Sequence, residues 1–377
     1  MLKLPGKLTP ETFLDRYWQK QPLLMPAALD RLRPSLSRNE LAWLATQDDV
    51  ESRLVFVDHL KDRKRYRAET GPFDSDYLAA LPKRNWTLLV HDVEKHLPAM
   101  RALFNLVPFI PDWRIDDLMV SFAAPGGGVG PHQDNYDVFL CQGIGVRNWR
   151  FTKDTIEADA LASADLALLR EFDGSQNIDV SEGDVLYIPP GAAHWGTAIR
   201  ACMTYSVGMR APEASALSLL LGKAASKQDV FYHDPDLRVT ESKPGYISAQ
   251  SVTRALSMLE LPAGHFNAVA TALGCVATEV KDWLKPEQLS RQTAAEVVNY
   301  LQNGGAIDVH GMSQIAYNDQ TLFVNGCSLG LAADAQPVIA GICAARRLSG
   351  VASHPFVRSD CLLWMLQKGA FEIPETS

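Results

Sequence analysis

Hydrophobic and polar positions recur with three successive rhythms along the chain, and the changes of rhythm mark its organisation. Near the start, Thr9-Pro10-Glu11 predicts a helix, with Thr9 as cap and Pro10 in the first turn, leading into FLDRYWQKQP. A second short helix is expected over Arg38 to Thr46. From about Trp86 to Arg210 the pattern becomes short apolar runs broken by Gly and Pro: TLLVHDV, RIDDLMVSF, YDVFLCQ, GVRNWRFT, DVLYIPP and MTYSVGMR. Many short strands between turns predict a sandwich or barrel. One helical insertion, Thr155 to Phe172, is expected to interrupt them.

After Pro212 the rhythm turns helical, through ASALSLLLGKAASKQ, SAQSVTRALSMLEL and NAVATALGCVATEVKDWL. Leu217, Leu220 and Leu221 fall at helical spacing, the mark of a core face. From about Thr293 the order is helix (AAEVVNYLQNG), two strands (IDVHGMSQIAY and TLFVNG) around Asn318-Asp319, then helices (AQPVIAGICAARRL and SDCLLWMLQKG). That order resembles a winged helix. The expected division is therefore 1–212 as a β-barrel domain, 213–290 as a helical dimerisation region and 291–377 as a winged-helix-like domain.

Composition narrows the function classes. With 377 residues, 47% hydrophobic and 21% charged, the chain can bury a large core. No run approaches the roughly 20 apolar residues that span a bilayer, and MLKLPGKLTPETF lacks a secretion signal's apolar stretch, so no membrane partner and a cytoplasmic address are expected. The six cysteines are scattered without C-x-x-C spacing, which indicates neither a disulfide framework nor a zinc ribbon. A net charge of -8 argues against direct nucleic-acid binding and favours encounter with a basic protein.

The chemistry concentrates in two stretches. Gly183 to His194, GDVLYIPPGAAH, fits the second cupin motif G-x5-P-x-G-x2-H at every fixed position. Val185, Leu186 and Ile188 predict a strand, Pro189-Pro190-Gly191 turns it, and His194 opens the next strand. Upstream stands His132-Gln133-Asp134. Residues i and i+2 of a strand share a face, so His132 and Asp134 can reach one ion while Gln133 points away. Two histidines and a carboxylate suit iron(II) with coordination positions left open; zinc hydrolases use the same ligand types, and spacing alone does not name the metal.

Open positions call for a co-substrate, and a guanidinium would clamp its distal carboxylate. GVRNWRF offers Arg147 and Arg150 on opposite faces, so only one can point inward. Thr204 and Ser206 share a face of MTYSVGMR and can help line a polar pocket. In IDDLMVSF, Asp117, Met119 and Ser121 share a face that is expected to look into the cavity, where a carboxylate would pair with a cationic substrate; Asp116 and Asp117 can equally sit exposed at a strand start.

At these residues the chain resembles a known family. WRIDDLMVSFAAPGGGVGPHQDNYDVFLCQGIGVRNWRF, with EGDVLYIPPGAAHWG and MTYSVGMRAP, is similar to the bacterial JmjC-type ribosomal oxygenases, most closely from about Thr12 to Pro212. The resemblance implies an α+β protein: a JmjC/cupin double-stranded β-helix, or jelly roll, followed by a helical dimerisation region and a winged helix. It implies Fe(II), 2-oxoglutarate and O2, with metal ligands, also the catalytic residues, at His132, Asp134 and His194. The 2-oxoglutarate arginine falls on Arg147, which settles the choice against Arg150. Ser121, Thr204 and Ser206 are the further co-substrate candidates, although the family position often held by asparagine is Thr204 here. Asp117, Asp116 and Tyr136 are the substrate candidates.

By the same resemblance, decarboxylation of 2-oxoglutarate to succinate drives hydroxylation of C3 of an arginine in a basic protein of the large ribosomal subunit, by a homodimer. The alternatives are a histidyl hydroxylase of another ribosomal protein, a JmjC-type N-methyl demethylase, or a non-catalytic cupin and winged-helix regulator.

Overall fold

The computed structural model describes residues 2–60, 63–155, 161–163, 168–169, 174–223 and 230–373. Internal contacts divide the chain into one unit of residues 1–108, 115–210 and 235–237, and another of 109–114, 211–234 and 238–377.

The first unit is built from strands β1 (Leu23–Met25), β2 (Ser52–Leu60), β3 (Arg63–Thr70), β4 (Trp86–Val90), β5 (Ile115–Ala123), β6 (Val138–Ile144), β7 (Val146–Thr155), β8 (Leu161–Ser163), β9 (Leu168–Leu169), β10 (Gln176–Ser181), β11 (Val185–Ile188), β12 (Ala192–Ala198) and β13 (Cys202–Met209). Eight of them form one sheet in the order β1-β11-β6-β13-β5-β4-β2-β3, and β10-β7-β12 form a second. This is the jelly roll expected from the sequence. Inward residues of both sheets, Val138, Leu140, Trp149, Phe151, Val180, Leu186 and Ile188, meet in one core. All four residues of β11 are buried because both faces of that strand are covered.

The first helix, α1 (Pro10–Arg16), starts as predicted, with the Thr9 hydroxyl accepting from the Thr12 amide. It delivers Phe13, fully buried, against Phe139 and Tyr187, a burial that stabilises by about 2 kcal/mol. In α2 (Arg38–Leu44), Ser37 and Glu40 complete a reciprocal cap. Two short helices follow, α3 (Ser75–Ala79) and α4 (Val93–His96).

The structure corrects the expected helical insertion. Described residues of the segment read as a helical insertion form the antiparallel pair β8 and β9; residues 156–160, 164–167 and 170–173 lie outside the described set. The Ala- and Leu-rich text has helical propensity, and strand pairing overrides it.

The second unit carries α5 (Ala214–Leu220), α6 (Ala249–Met258), α7 (Phe266–Ala277), α8 (Arg291–Gln302), β14 (Ile307–Asp308), β15 (Ile315–Tyr317), β16 (Thr321–Val324), β17 (Cys327–Gly330), α9 (Gln336–Ala345), β18 (Arg347–Leu348) and α10 (Asp360–Gln367). The hairpin around Asn318-Asp319 is present, extended by β17 into three strands. One core joins Leu217, Val252, Leu256, Val269 and Leu273 to Phe323 of the hairpin; another surrounds Leu301, Ile339, Ile342, Leu362 and Met365. Leu217 is fully buried, but Leu220 is 55% exposed, so the expected three-leucine core face is only partly one. Among the described residues no helix is long and apolar enough to cross a membrane.

Candidate metal centre

His132 and His194 face each other across a single antiparallel bridge. The His132 amide donates to the His194 carbonyl at 3.0 Å, and the His194 amide returns the bond at 2.8 Å. Directly opposed residues project their side chains to one face, and the two ring centroids lie 4.2 Å apart. Each Nδ1 stands 3.0 Å from a carbonyl two residues back, that of Gly130 for His132 and of Ala192 for His194. A carbonyl only accepts, so each Nδ1 bears the proton and each Nε2 presents a lone pair.

Asp134 completes the set, with Oδ2 4.0 Å from His132 Nε2 and 3.6 Å from His194 Nε2. All three ligand atoms lie within 4.8 Å of one another. The strand expected under His132 and Asp134 is reduced to the one bridge; Asp134 sits in the turn entering β6, where its carbonyl accepts from the Gly191 amide at 2.8 Å. Burial first, and His132 second, hold His194 down at about 4 against the pull of Asp134. Its ring is therefore neutral near pH 7, the form that binds metal. Two imidazole nitrogens and one carboxylate on one side fit a divalent iron-type ion with open positions opposite.

The strand period selects between the two arginines. Arg147, Trp149 and Phe151 turn inward, whereas Arg150 is exposed with its guanidinium 5.5 Å from the Trp195 ring centroid. Arg147 is only 5% exposed, yet its Nε and one Nη have no hydrogen-bond partner. Buried donors of a cation without an acceptor are costly unless an anion fills the space, and a dicarboxylate co-substrate has the matching chemistry.

Ser121, Thr204 and Ser206 are all buried, with Thr204 opposite Ser121 in register. The Thr204 hydroxyl donates to Gln142 Oε1 at 3.1 Å, so its proton is already used and only its acceptor capacity remains. A Cβ added to Gly208 would stand 2.9 Å from Asp117 Oδ1 and 4.0 Å from a Tyr136 ring carbon, which places Asp117 and Tyr136 together beside that backbone. The Tyr136 hydroxyl is held well above its ordinary value, first by Asp134, then by burial, then by Asp117 and Asp116. Asp116 is half exposed and bound to Arg210 at 2.6 Å, which leaves Asp117 as the acid free of an arginine.

Comparison with known proteins agrees with this geometry. A model of the JmjC domain matches residues 102–217, and one of the ROXA-like winged helix matches residues 265–366. The ribosomal protein uL16 3-hydroxylase of Escherichia coli is 40% identical over 229 residues, 60% of this chain and 60% of that protein. A probable ribosomal oxygenase of Haemophilus influenzae is 37% identical over 242 residues, 63% of this chain and 57% of that protein. The match thus spans less than two thirds of these relatives' own length. The structure of YcfD, a ribosomal oxygenase from Escherichia coli in complex with cobalt and 2-oxoglutarate, aligns over 99% of both chains with 27% identity and a TM-score of 0.72. The chain carries a JmjC domain followed by a ROXA-like winged helix.

Two further residues, Trp149 and His91, adjoin these groups. Trp149 shares the inward face of Arg147, a signal present in the i, i+2 spacing of GVRNWRF. His91 lies outside the matched span, with Nδ1 3.5 Å from Asp117 Oδ2, and nothing in the local sequence announces that contact.

Proposed function

We propose that this chain is an iron(II)- and 2-oxoglutarate-dependent oxygenase that hydroxylates C3 of an arginine in uL16, a basic protein of the large ribosomal subunit, in the cytoplasm. The observation that carries the reading is the pairing of His132 with His194, both Nε2 lone pairs converging with Asp134, while Nε and one Nη of the buried Arg147 have no hydrogen-bond partner among the described residues. The uL16 assignment rests on the 40% identity to the Escherichia coli uL16 3-hydroxylase.

His132, Asp134 and His194 would hold the ion, and Arg147 the distal carboxylate of the keto acid through two parallel hydrogen bonds. Iron(II) and 2-oxoglutarate together supply the activation of O2 that inserts one oxygen into a C–H bond. The protein contributes position. Asp117 offers the substrate guanidinium a charge-assisted fork, with His91 on its far oxygen and Tyr136 as the adjoining wall. Leu219 and Leu220, 74% and 55% exposed on α5, support the further inference that residues 213–290 mediate homodimerisation.

The test is succinate formation by the iron-loaded protein, with and without unmodified uL16. Turnover stimulated by the client, with an oxygen gained on one arginine, supports the reading. Loss of a methyl group instead assigns an N-methyl demethylase, and modification of a histidine assigns a histidyl hydroxylase.

A further inference from the structure

The indole of Trp149 has no assigned part in the site, yet its position is unusual for a packing residue. It is 4% exposed and its Nε1–H has no hydrogen-bond partner. Buried indoles ordinarily find an acceptor, because an unpaired donor away from water costs free energy. The same ring lies beside both ends of the candidate co-substrate site: its centroid is 5.6 Å from the Arg147 guanidinium carbon and 5.8 Å from the His194 ring centroid. A five-carbon diacid reaching from an ion at His194 to Arg147 therefore runs alongside this indole. The backbone opposite leaves room for it. Gly196 pairs with Trp149 across the two strands, and a Cβ there would lie 2.8 Å from the indole and 3.0 Å from Arg147 Cδ.

We propose that Trp149 is a co-substrate-binding residue, whose indole N–H donates to a 2-oxoglutarate oxygen while its ring walls the passage between the metal and Arg147. The inference rests on the 2-oxoglutarate reading above and deepens it. Three donor nitrogens on one strand face, two from Arg147 and one from Trp149, lack acceptors among the described residues, and an anion rich in oxygen supplies them. The fused ring also keeps that passage apolar, which strengthens each of those bonds.

The experiment uses the full chain loaded with zinc(II) as a redox-inert stand-in, titrated with 2-oxoglutarate by calorimetry. Trp149→Phe keeps an aromatic body and removes the donor, so its 2-oxoglutarate Kd is expected to rise about 10- to 100-fold, the usual worth of a hydrogen bond to a charged group. Zinc affinity without the keto acid should stay at the wild-type value, which a merely structural disturbance beside His194 would not permit. In parallel, the Nε1–H resonance of Trp149, assigned as the indole signal missing in Trp149→Phe, should shift on addition of 2-oxoglutarate to the wild-type protein. If the variant does not fold, the wild-type resonance is instead assigned by exclusion, from Trp→Phe changes at the other seven of the eight tryptophans. Equal Kd values in a folded variant, or an indole signal that does not move while 2-oxoglutarate binds, would overturn the proposal. Wild-type protein that binds no 2-oxoglutarate would overturn the functional reading itself.

Discussion

The Glu94 carboxylate accepts a hydrogen bond from the Leu118 amide at 2.9 Å, one residue beyond Asp117. Glu94 thus caps the free edge of β5, which extends past the end of β4 at the point where Asp117 emerges. Its other oxygen is buried without a hydrogen-bond partner.

That position makes stability depend on pH. Burial foremost, with Asp117 and Asp92 adding and Lys95 opposing, raises Glu94 from 4.5 to about 7. The folded state therefore binds the proton more tightly than the unfolded state, so Glu94 imposes no cost below about 4.5 and a growing cost as pH rises to about 7. Linkage puts the full difference at about 3 kcal/mol. Chemical denaturation between pH 5 and 8 should show this contribution falling with rising pH, and Glu94→Gln should flatten it. A variant with the wild-type slope would refute the assignment.

Removing a metal ligand should separate chemistry from folding. His132→Ala and His194→Ala are expected to lose turnover to background and to lose high-affinity iron binding. The barrel is held by strand pairing and the core around Leu140 and Leu186, so Tm should fall by only about 2–4 °C. Calorimetry and metal analysis decide between this and a scaffold that depends on the ion.

Arg147→Lys keeps the charge and loses the planar fork. The 2-oxoglutarate KM should rise at least about 10-fold while the client KM changes little. An unchanged 2-oxoglutarate KM would remove Arg147 from the co-substrate site.

Gly196→Ala is the sharper steric probe, because its methyl would meet Trp149 and Arg147 Cδ at 3.0 Å or less. Both side chains must shift, so weaker 2-oxoglutarate binding with retained metal binding is expected. Asp117→Asn should act on the other partner, raising the client KM by about 10-fold or more without changing that of 2-oxoglutarate.

The legible parts of the site are those whose partners are close in sequence. The Pro189-Pro190-Gly191 turn and His194 form one local motif, and His132 with Asp134 another; the single bridge between His132 and His194 brings the two together. The contacts of Asp117 with His91 and of Glu94 with Leu118 cross from one element to another, so no local pattern encodes them. Apolar runs make β4 to β7, β11 and β13 legible and the cupin motif adds β12, whereas no strand is predicted at β1, β2, β3 or β10 and the text around β8 and β9 reads as helix. At the sheet edge, β3 reads RKRYRAET, and its exposed Arg65 and Arg67 leave little apolar period to detect. The buried, unpartnered N–H of Trp149 is a property of its three-dimensional surroundings, which the strand text does not contain.

The most direct test of the central claim is fragment mass spectrometry of unmodified uL16 after incubation with the iron-loaded protein, 2-oxoglutarate and air, run beside His194→Ala. The account predicts one added oxygen on C3 of a single arginine with the wild-type protein, and none with the variant. An unaltered uL16 in the presence of active 2-oxoglutarate turnover, or oxygen added equally by His194→Ala, would contradict it.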